Sequence, residues 1–238
     1  MQVLIVYAHP EPTSFNGALR DVAVETIRAA GHDVVVSDLY AEAFNPVAGR
    51  HDFTTVADAG RFHYQSEQLA ASRAGAFAAD IAREHDRLQR ADLVILQFPL
   101  WWGAPPAILK GWFDRVLAYG VAYVDGRRFD KGLFRQRGGM MCVTTGGTDQ
   151  RFSAAGEYGE IERVLWPVRH LTLDYLGLAV EEPFICYATP RVDAAVRADY
   201  LRQWQARLRS ALAKDYRTRS GAETAARDAN PTSWSSAV

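Results

Sequence analysis

The sequence contains little cysteine, no long hydrophobic run and almost no net charge. Its 238 residues include two cysteines, Cys142 and Cys186, and carry a formal net charge of −1. Both cysteines lie in apolar segments, which predicts reduced core residues in a reducing, cytoplasmic compartment. No apolar run approaches the roughly 20 residues that a bilayer span needs, so we expect no membrane insertion. Without a basic block, the chain is not expected to bind nucleic acid.

Several familiar site motifs are also missing. The six histidines have no zinc-like spacing, so the sequence predicts no metal site. There is no G-x-G-x-x-G and no Walker lysine motif, which leaves dinucleotide binding by those motifs unsupported. The N-terminus, MQVLIVYAHP, is only briefly apolar and lacks a basic lead-in, which favours a first strand over a signal peptide.

Apolar runs alternate with helical patterns along most of the chain. Four of the five runs are continuously apolar, as expected for parallel strands covered on both faces. The alternation predicts an α/β fold, a doubly wound five-stranded parallel sheet with the flavodoxin-like order 2-1-3-4-5. Residues 1–214 form the predicted domain, and the composition of 215–238 favours a disordered tail. The predicted strands are 3–7, 33–39, 92–98, 140–145 and 183–187, and the predicted helices are 14–30, 66–90, 105–119, 158–176 and 191–214.

Ligands of such sheets bind beyond the carboxyl ends of the strands, where the strand order reverses. Three distinctive loops are expected there: AHPEPTSFNGAL at 8–19, FPLWWGAPP at 98–106 and TTGGTDQRF at 144–152. The first loop precedes a helix, whose N-terminal N–H groups suit a phosphate. An equally weighted alternative is that Thr13 or Ser14 only caps that helix.

The second loop contains two tryptophans in a row. Trp101 and Trp102 could form flat apolar walls for a planar ligand, and Gly103 would let the backbone approach it. The alternative is that both side chains pack in the core. The third loop also combines hydroxyls with glycines at a strand end, as a ligand-binding loop would, but a plain turn explains its glycines equally well. Together, a flat slot with phosphate donors at one end favours a flavin nucleotide.

The chain resembles the flavodoxin-like NAD(P)H:quinone oxidoreductases, the family of the mammalian FAD-containing quinone reductases. The stretches that carry the resemblance run in order over roughly residues 1–190; they are LIVYAHPEPTSFN, VVVSDLYAEAFNP, DLVILQFPLWW, PPAILKGWFDRV, FDKG, TTGG and VLWPV. The resemblance implies a homodimer with a site at each subunit interface. It also implies a bound flavin that takes hydride from NAD(P)H and reduces a quinone by two electrons in a ping-pong cycle.

The resemblance also implies roles for individual residues. Contacts to the pyrophosphate and ribityl chain would come from His9, Thr13, Ser14, Phe15 and Asn16. Contacts to the isoalloxazine would come from Pro99, Leu100, Trp101, Trp102, Gly103, Thr144, Thr145, Gly146 and Gly147. His63 and Tyr64 in RFHYQSE match a segment on the adenine side, which favours FAD over FMN. Trp102, Tyr123, Phe152 and Tyr158 would line the substrate slot.

The chain departs from the family where charge on the reduced flavin is stabilised. Family members often have a tyrosine and a histidine after the TTGG loop; here Phe152 and Tyr158 stand at those positions. Phe152 cannot donate a hydrogen bond, whereas Tyr158 can, although it cannot carry a positive charge. The catalytic candidates are therefore Tyr158, Gly146 and Gly147. Asp125 replaces a second aromatic near Tyr123, which leaves the substrate range open.

Other functions remain compatible with the same motifs. A close variant would reduce azo, nitro or pathway-specific quinonoid compounds. Some relatives resemble ancillary proteins that regulate potassium-efflux transporters. A third class is the one-electron carrier, although the near-neutral charge argues against docking by charge.

Overall fold

A computed structural model describes residues 1–217. Most of the predicted tail, from residue 218 onward, lies outside the described residues. Among the described helices, none combines the length and apolar character that crossing a membrane would require.

Six parallel strands form one sheet in the order β2-β1-β3-β4, with β5 and β6 both paired to β4. This confirms the predicted order 2-1-3-4-5, and the predicted strand 183–187 corresponds to β6. The extra strand β5 is only two residues long, and Pro183, which has no backbone N–H, separates it from β6. The strands are β1 Gln2–Tyr7, β2 Asp33–Asp38, β3 Leu93–Pro99, β4 Gly138–Thr144, β5 Ala179–Val180 and β6 Phe184–Cys186.

Helices cover both faces of the sheet, which explains why its central strands are apolar throughout. Every residue of β3 and β4 is buried. One face packs against α3, α4 and α5, and the other against α1 and α6. The helices are α1 Phe15–Ala29, α2 Tyr64–Ala74, α3 Ala79–Arg90, α4 Ala107–Val116, α5 Ile161–Val168 and α6 Ala194–Leu212.

The prediction of one helix over 66–90 is wrong, because the chain breaks at Gly75. Gly75 adopts a left-handed conformation with φ +65° and ends α2. Residues 76–78 are then held by a distant segment: the Thr54 N–H donates to the Ala76 carbonyl at 2.8 Å, and the Ala78 N–H donates to the Asp52 carbonyl at 2.8 Å. These hydrogen bonds replace those of a continuous helix.

The predicted helix over 158–176 is also shorter and less regular than expected. It begins at Ile161 and, after Val168, continues as a π-helical turn over Arg169–Asp174. Pro167 lacks the N–H that a regular α-helix would use, which accounts for a disturbance at this point. Tyr158 consequently lies in the loop before the helix.

Candidate active site

The loops that follow β1, β3 and β4 meet at one edge of the sheet. The Leu100 N–H donates to the Thr144 carbonyl at 2.8 Å. The Asn16 Nδ2 donates to the Thr144 Oγ1 at 2.9 Å, and the Gln97 Nε2 donates to the Asn16 carbonyl at 2.6 Å. The structure therefore brings the three predicted loops together, at the point where the strand order reverses.

The first loop leads directly into the N-terminus of α1. Ser14 is the N-cap, and its hydroxyl accepts from the Gly17 N–H at 3.1 Å. Capping is therefore a real role of Ser14. Thr13 donates its N–H and hydroxyl to the Glu11 carboxylate at 2.9 and 2.6 Å, and these bonds lower the pKa of Glu11. The first-turn N–H groups of α1 have no intrahelical acceptor and suit an anion.

The two tryptophans lie on a tight turn at the surface. Trp101 and Ala104 exchange two backbone hydrogen bonds of 3.0 Å. Between them, Trp102 and Gly103 have φ values of +52° and +72°, as in a type I′ turn. Trp102 is fully exposed, and Trp101 is 42% exposed with its ring 6.2 Å from that of His9. Neither side chain packs in the core, so the alternative of core packing is wrong.

The TTGG loop is anchored by its threonines and open at its glycines. Thr144 and Thr145 are buried, and the Thr145 hydroxyl donates to the Gly147 carbonyl at 2.8 Å. A Cβ added to Gly146 would meet only a guanidinium nitrogen, that of Arg191, at 3.9 Å. The backbone at Gly146 can therefore be approached closely by a ligand.

Phe152 and Tyr158 flank the other glycine of this loop. Their ring centroids are 5.1 Å apart. A Cβ at Gly147 would come within 2.9 Å of both rings, so only glycine fits there without displacing them. Tyr158 is 47% exposed, and its hydroxyl can reach a ligand at the loop.

Three side chains near this edge carry unpaired polar atoms, and two of them, Gln97 and Arg197, are not among the residues predicted from the sequence. Within residues 1–217, Gln97 Oε1 and Asn16 Oδ1 are buried acceptors without a donor, and Arg197 Nε is a buried donor without an acceptor. Arg197 lies one turn before Tyr200, whose ring is 6.4 Å from that of Phe15 at the start of α1. Gln97 could have been noticed as the one polar residue in LVILQFP; Arg197 has no comparable signal.

The remaining predicted residues, His63, Tyr64 and Tyr123, line a separate cleft of about 500 Å³ together with Gln65 and Phe113. His63 is the N-cap of α2. In residues 1–217 no hydrogen bond, ion pair or ring contact joins these three residues to the loops at the sheet edge. The predicted contacts thus fall into two separate groups on one protomer.

Tyr64 is tied to a buried ion pair below this cleft. Its hydroxyl donates to the Asp52 carboxylate at 2.6 Å. Asp52 in turn accepts from the guanidinium of Arg115 at 2.9 and 2.7 Å, and both members of this pair are buried. Burial and the neighbouring carboxylate raise the pKa of Tyr64. Its hydroxyl therefore stays protonated and structural, and its ring remains available to the cleft.

Tyr123 belongs to an aromatic cluster that the sequence did not reveal. Its ring lies 5.3 Å from Tyr119 and 5.9 Å from Tyr175, and Tyr119 donates to Asp125 at 3.0 Å. Burial raises the pKa of Tyr123. The cluster joins the long connection after α4 to the segment after α5, and its rings meet edge to face.

The two cysteine thiols do not supply a nucleophile. Cys142 and Cys186 are fully buried. Burial raises the pKa of the Cys142 thiol, and it raises the pKa of the Cys186 thiol to about 12. Thiolates are therefore scarce at neutral pH, and neither cysteine can act as a nucleophile there.

Comparison with known proteins places this geometry in a family. The family profile Flavodoxin_2, described as a flavodoxin-like fold, matches residues 1–208. The chain is 42% identical to NAD(P)H dehydrogenase (quinone) 1 of Rattus norvegicus, over 87% of this chain and 76% of the relative. It is also 42% identical to the ribosyldihydronicotinamide dehydrogenase (quinone) of Pongo abelii, over 88% and 91% respectively.

Solved structures agree with these relatives. A protein from Klebsiella pneumoniae, named provisionally as a quinone reductase, superposes with a TM-score of 0.85 at 36% identity, over 91% of this chain and 86% of that one. The NAD(P)H:quinone oxidoreductase of Methanothermobacter marburgensis superposes with a TM-score of 0.67 at 27% identity, over 90% and 98%.

Proposed function

Since the chain belongs to the flavodoxin-like family of the NAD(P)H dehydrogenases (quinone), we propose that it passes hydride from NAD(P)H through a bound flavin to a quinone. The observation that carries this proposal is the exposed Trp102–Gly103 turn, on a loop that the Leu100 N–H joins to Thr144 at the start of the TTGG loop. An indole and an open glycine backbone provide the flat apolar wall and the backbone donors that a planar ring system needs. Both features lie at the edge where ligands of doubly wound sheets bind.

The residues at this edge suit a flavin. The isoalloxazine would lie against Pro99–Gly103 and Thr144–Gly147. The buried acceptors Asn16 Oδ1 and Gln97 Oε1, unpaired within residues 1–217, would be satisfied by a donor or by water. A phosphate would bind at the start of α1, next to His9 and the residues from Thr13 to Asn16. The Thr13 donors become free for this only when Glu11 releases them.

The second cleft supports FAD rather than FMN, and a dimer rather than a monomer. His63 and Tyr64 offer rings that could contact an adenine, and Tyr123 adds a substrate-facing aromatic. Because this cleft is separate from the loop edge, one protomer alone does not bring together all the residues predicted to contact the cofactor and the substrate. A second copy that places its cleft over the loops would do so, with one site at each interface.

A flavin held by these loops would supply two-electron hydride chemistry between NAD(P)H and a quinone. The protein would contribute by placing hydrogen-bond donors and apolar side chains around the flavin. The backbone N–H groups of Gly146 and Gly147 and the hydroxyl of Tyr158 are the candidate donors to the negative charge that hydride transfer creates. Trp102, Tyr123 and Phe152 would exclude water and hold the two substrates in turn.

We propose a reducing, cytoplasmic location, because Cys142 and Cys186 are both free thiols and disulfides are rare in such compartments.

Quinone-dependent oxidation of NADH and NADPH by the purified protein tests the activity. We expect turnover with a simple benzoquinone. A flavin-loaded protein with no turnover would refute the reductase and favour a carrier or a regulator of a transporter. Turnover only with azo or nitro compounds would favour the alternative function, a reductase of those compounds.

Mass analysis of the cofactor released on denaturation tests its identity. We expect FAD. Release of FMN alone would contradict the adenine-binding role of His63 and Tyr64, and a colourless protein that cannot be reconstituted would contradict flavin binding.

Light scattering tests the assembly. We expect a dimer at the concentrations at which the enzyme is active. Full activity of a monomer would contradict a site completed by a second copy.

A further inference from the structure

A permanent positive charge lies next to the Tyr158 hydroxyl. Arg151 Nη1 is 3.4 Å from the Tyr158 Oη and oriented to donate to it. The guanidinium carbon is also 5.8 Å from the centroid of the same ring. The two side chains are about half exposed, so a ligand at the loop can reach the hydroxyl.

The loop backbone fixes this pairing independently of the side chains. The Tyr158 N–H donates to the Arg151 carbonyl at 2.9 Å. Gly156 lets the chain fold back, since a Cβ there would lie 2.3 Å from that carbonyl oxygen. The Arg151 N–H donates to the Thr148 carbonyl at 3.1 Å. Arg151 and Tyr158 are thus held opposite each other across a closed turn.

The same turn places the phenol against the TTGG loop. An added Cβ on Gly147 would meet the Tyr158 ring at 2.9 Å. The neighbouring ring of Phe152, 5.1 Å from that of Tyr158, offers no hydrogen bond. Of the two rings beside Gly147, Tyr158 is therefore the one with a hydrogen-bond donor, and Arg151 is a cation in contact with it.

We propose that Arg151 is a positioning residue that holds and polarises the Tyr158 hydroxyl, so that a tyrosine–arginine pair stabilises negative charge at the TTGG loop. This inference rests on the proposed flavin function. A guanidinium keeps its charge at every physiological pH. By donating to the phenol oxygen, it makes the hydroxyl proton a stronger donor toward an anion.

Nearby charge limits the size of the effect. Glu157 Oε2 lies 3.5 Å from Arg151 Nε, and that pair is exposed. Part of the cationic field is therefore offset and screened. We accordingly expect a modest shift in the energy of the reduced cofactor and no loss of fold.

The midpoint potential of the bound flavin, measured by equilibration with a redox dye, tests this proposal. Arg151→Gln removes the charge, and Arg151→Lys keeps it. Arg202→Gln removes a similarly exposed arginine on α6 and is the matched control. We expect Arg151→Gln to favour the oxidised flavin about threefold to tenfold, which lowers a two-electron potential by about 15 to 30 mV. Arg151→Lys should retain most of the wild-type potential, and Arg202→Gln should match the wild type.

A double-mutant cycle shows whether Arg151 acts through Tyr158. In a Tyr158→Phe background, Arg151→Gln should shift the same equilibrium by less than about twofold. An unchanged potential in the single Arg151→Gln variant would overturn the proposal, as would an undiminished shift in the Tyr158→Phe background. The visible absorbance of the purified proteins distinguishes a failure of the proposed flavin function from a failure of the proposed role of Arg151. A protein without flavin refutes the proposed function and this inference together, whereas a flavoprotein with an unchanged potential refutes only the role of Arg151.

Discussion

Removing the Tyr158 hydroxyl should slow reduction of the flavin without releasing it. Tyr158→Phe keeps the ring that packs on Phe152 at 5.1 Å and deletes only the donor. One preorganised donor is worth about 3 kcal/mol in enclosed oxyanion sites. Because Tyr158 is 47% exposed in the protomer, water competes for the charge, and we take about half of that value. Roughly 1.4 kcal/mol corresponds to about a tenfold lower rate.

Stopped-flow mixing of the flavin-loaded protein with NAD(P)H measures this step directly. Tyr40→Phe, after the outer strand β2, is the control and should reduce at the wild-type rate. Flavin content should be equal in all three proteins. A wild-type rate in Tyr158→Phe would remove Tyr158 from catalysis and leave the backbone N–H groups of Gly146 and Gly147 as the stabilising donors.

Three further substitutions, the first with a surface control, probe two buried charged or titratable groups and the TTGG loop. Arg115→Met removes the guanidinium partner of the buried Asp52 carboxylate and should lower the free energy of unfolding by about 3 to 5 kcal/mol in denaturant titrations. The exposed Arg163→Met should change it by under about 0.5 kcal/mol. Burial lowers the pKa of His85 to about 4. The unfolded chain then binds this proton near pH 6.5 while the folded chain does not, so stability should fall from pH 6.5 toward 4 by up to about 3 kcal/mol. His85→Gln should remove that part of the pH dependence, and an unaltered profile would contradict it. Gly147→Ala places a methyl group 2.9 Å from the rings of Phe152 and Tyr158. It should weaken flavin binding about tenfold, roughly 1.4 kcal/mol, as measured by fluorescence titration. Unchanged affinity would show that the two rings move aside without cost.

The order of the sheet was predictable because its strands are buried on both faces. The runs at 92–98 and 140–145 are continuously apolar, and β3 and β4 are buried over their whole length. Local sequence patterns predicted the wrong helix bounds where contacts with distant segments determine the structure. Apolar periodicity continues through Gly75, yet hydrogen bonds from residues 52–54 hold the chain extended just after it.

The candidate site was predictable as a set of loops but not as a set of contacts. Parallel strands bring their carboxyl ends to one edge, so the loops after β1, β3 and β4 had to meet. The sequence did not predict that Gln97 on β3 would donate to the Asn16 carbonyl at the start of α1. Nor did it predict that Arg151 would face Tyr158, because the intervening turn depends on the close approach at Gly156.

Anaerobic mixing in two steps tests the central claim most directly. NAD(P)H alone should bleach the visible absorbance of the bound flavin, and a benzoquinone added afterwards should restore it with formation of one hydroquinone per flavin. That result would establish two-electron transfer from NAD(P)H to the quinone through a bound cofactor. A flavin that NAD(P)H does not bleach, or that stays bleached when quinone is added, would contradict the account.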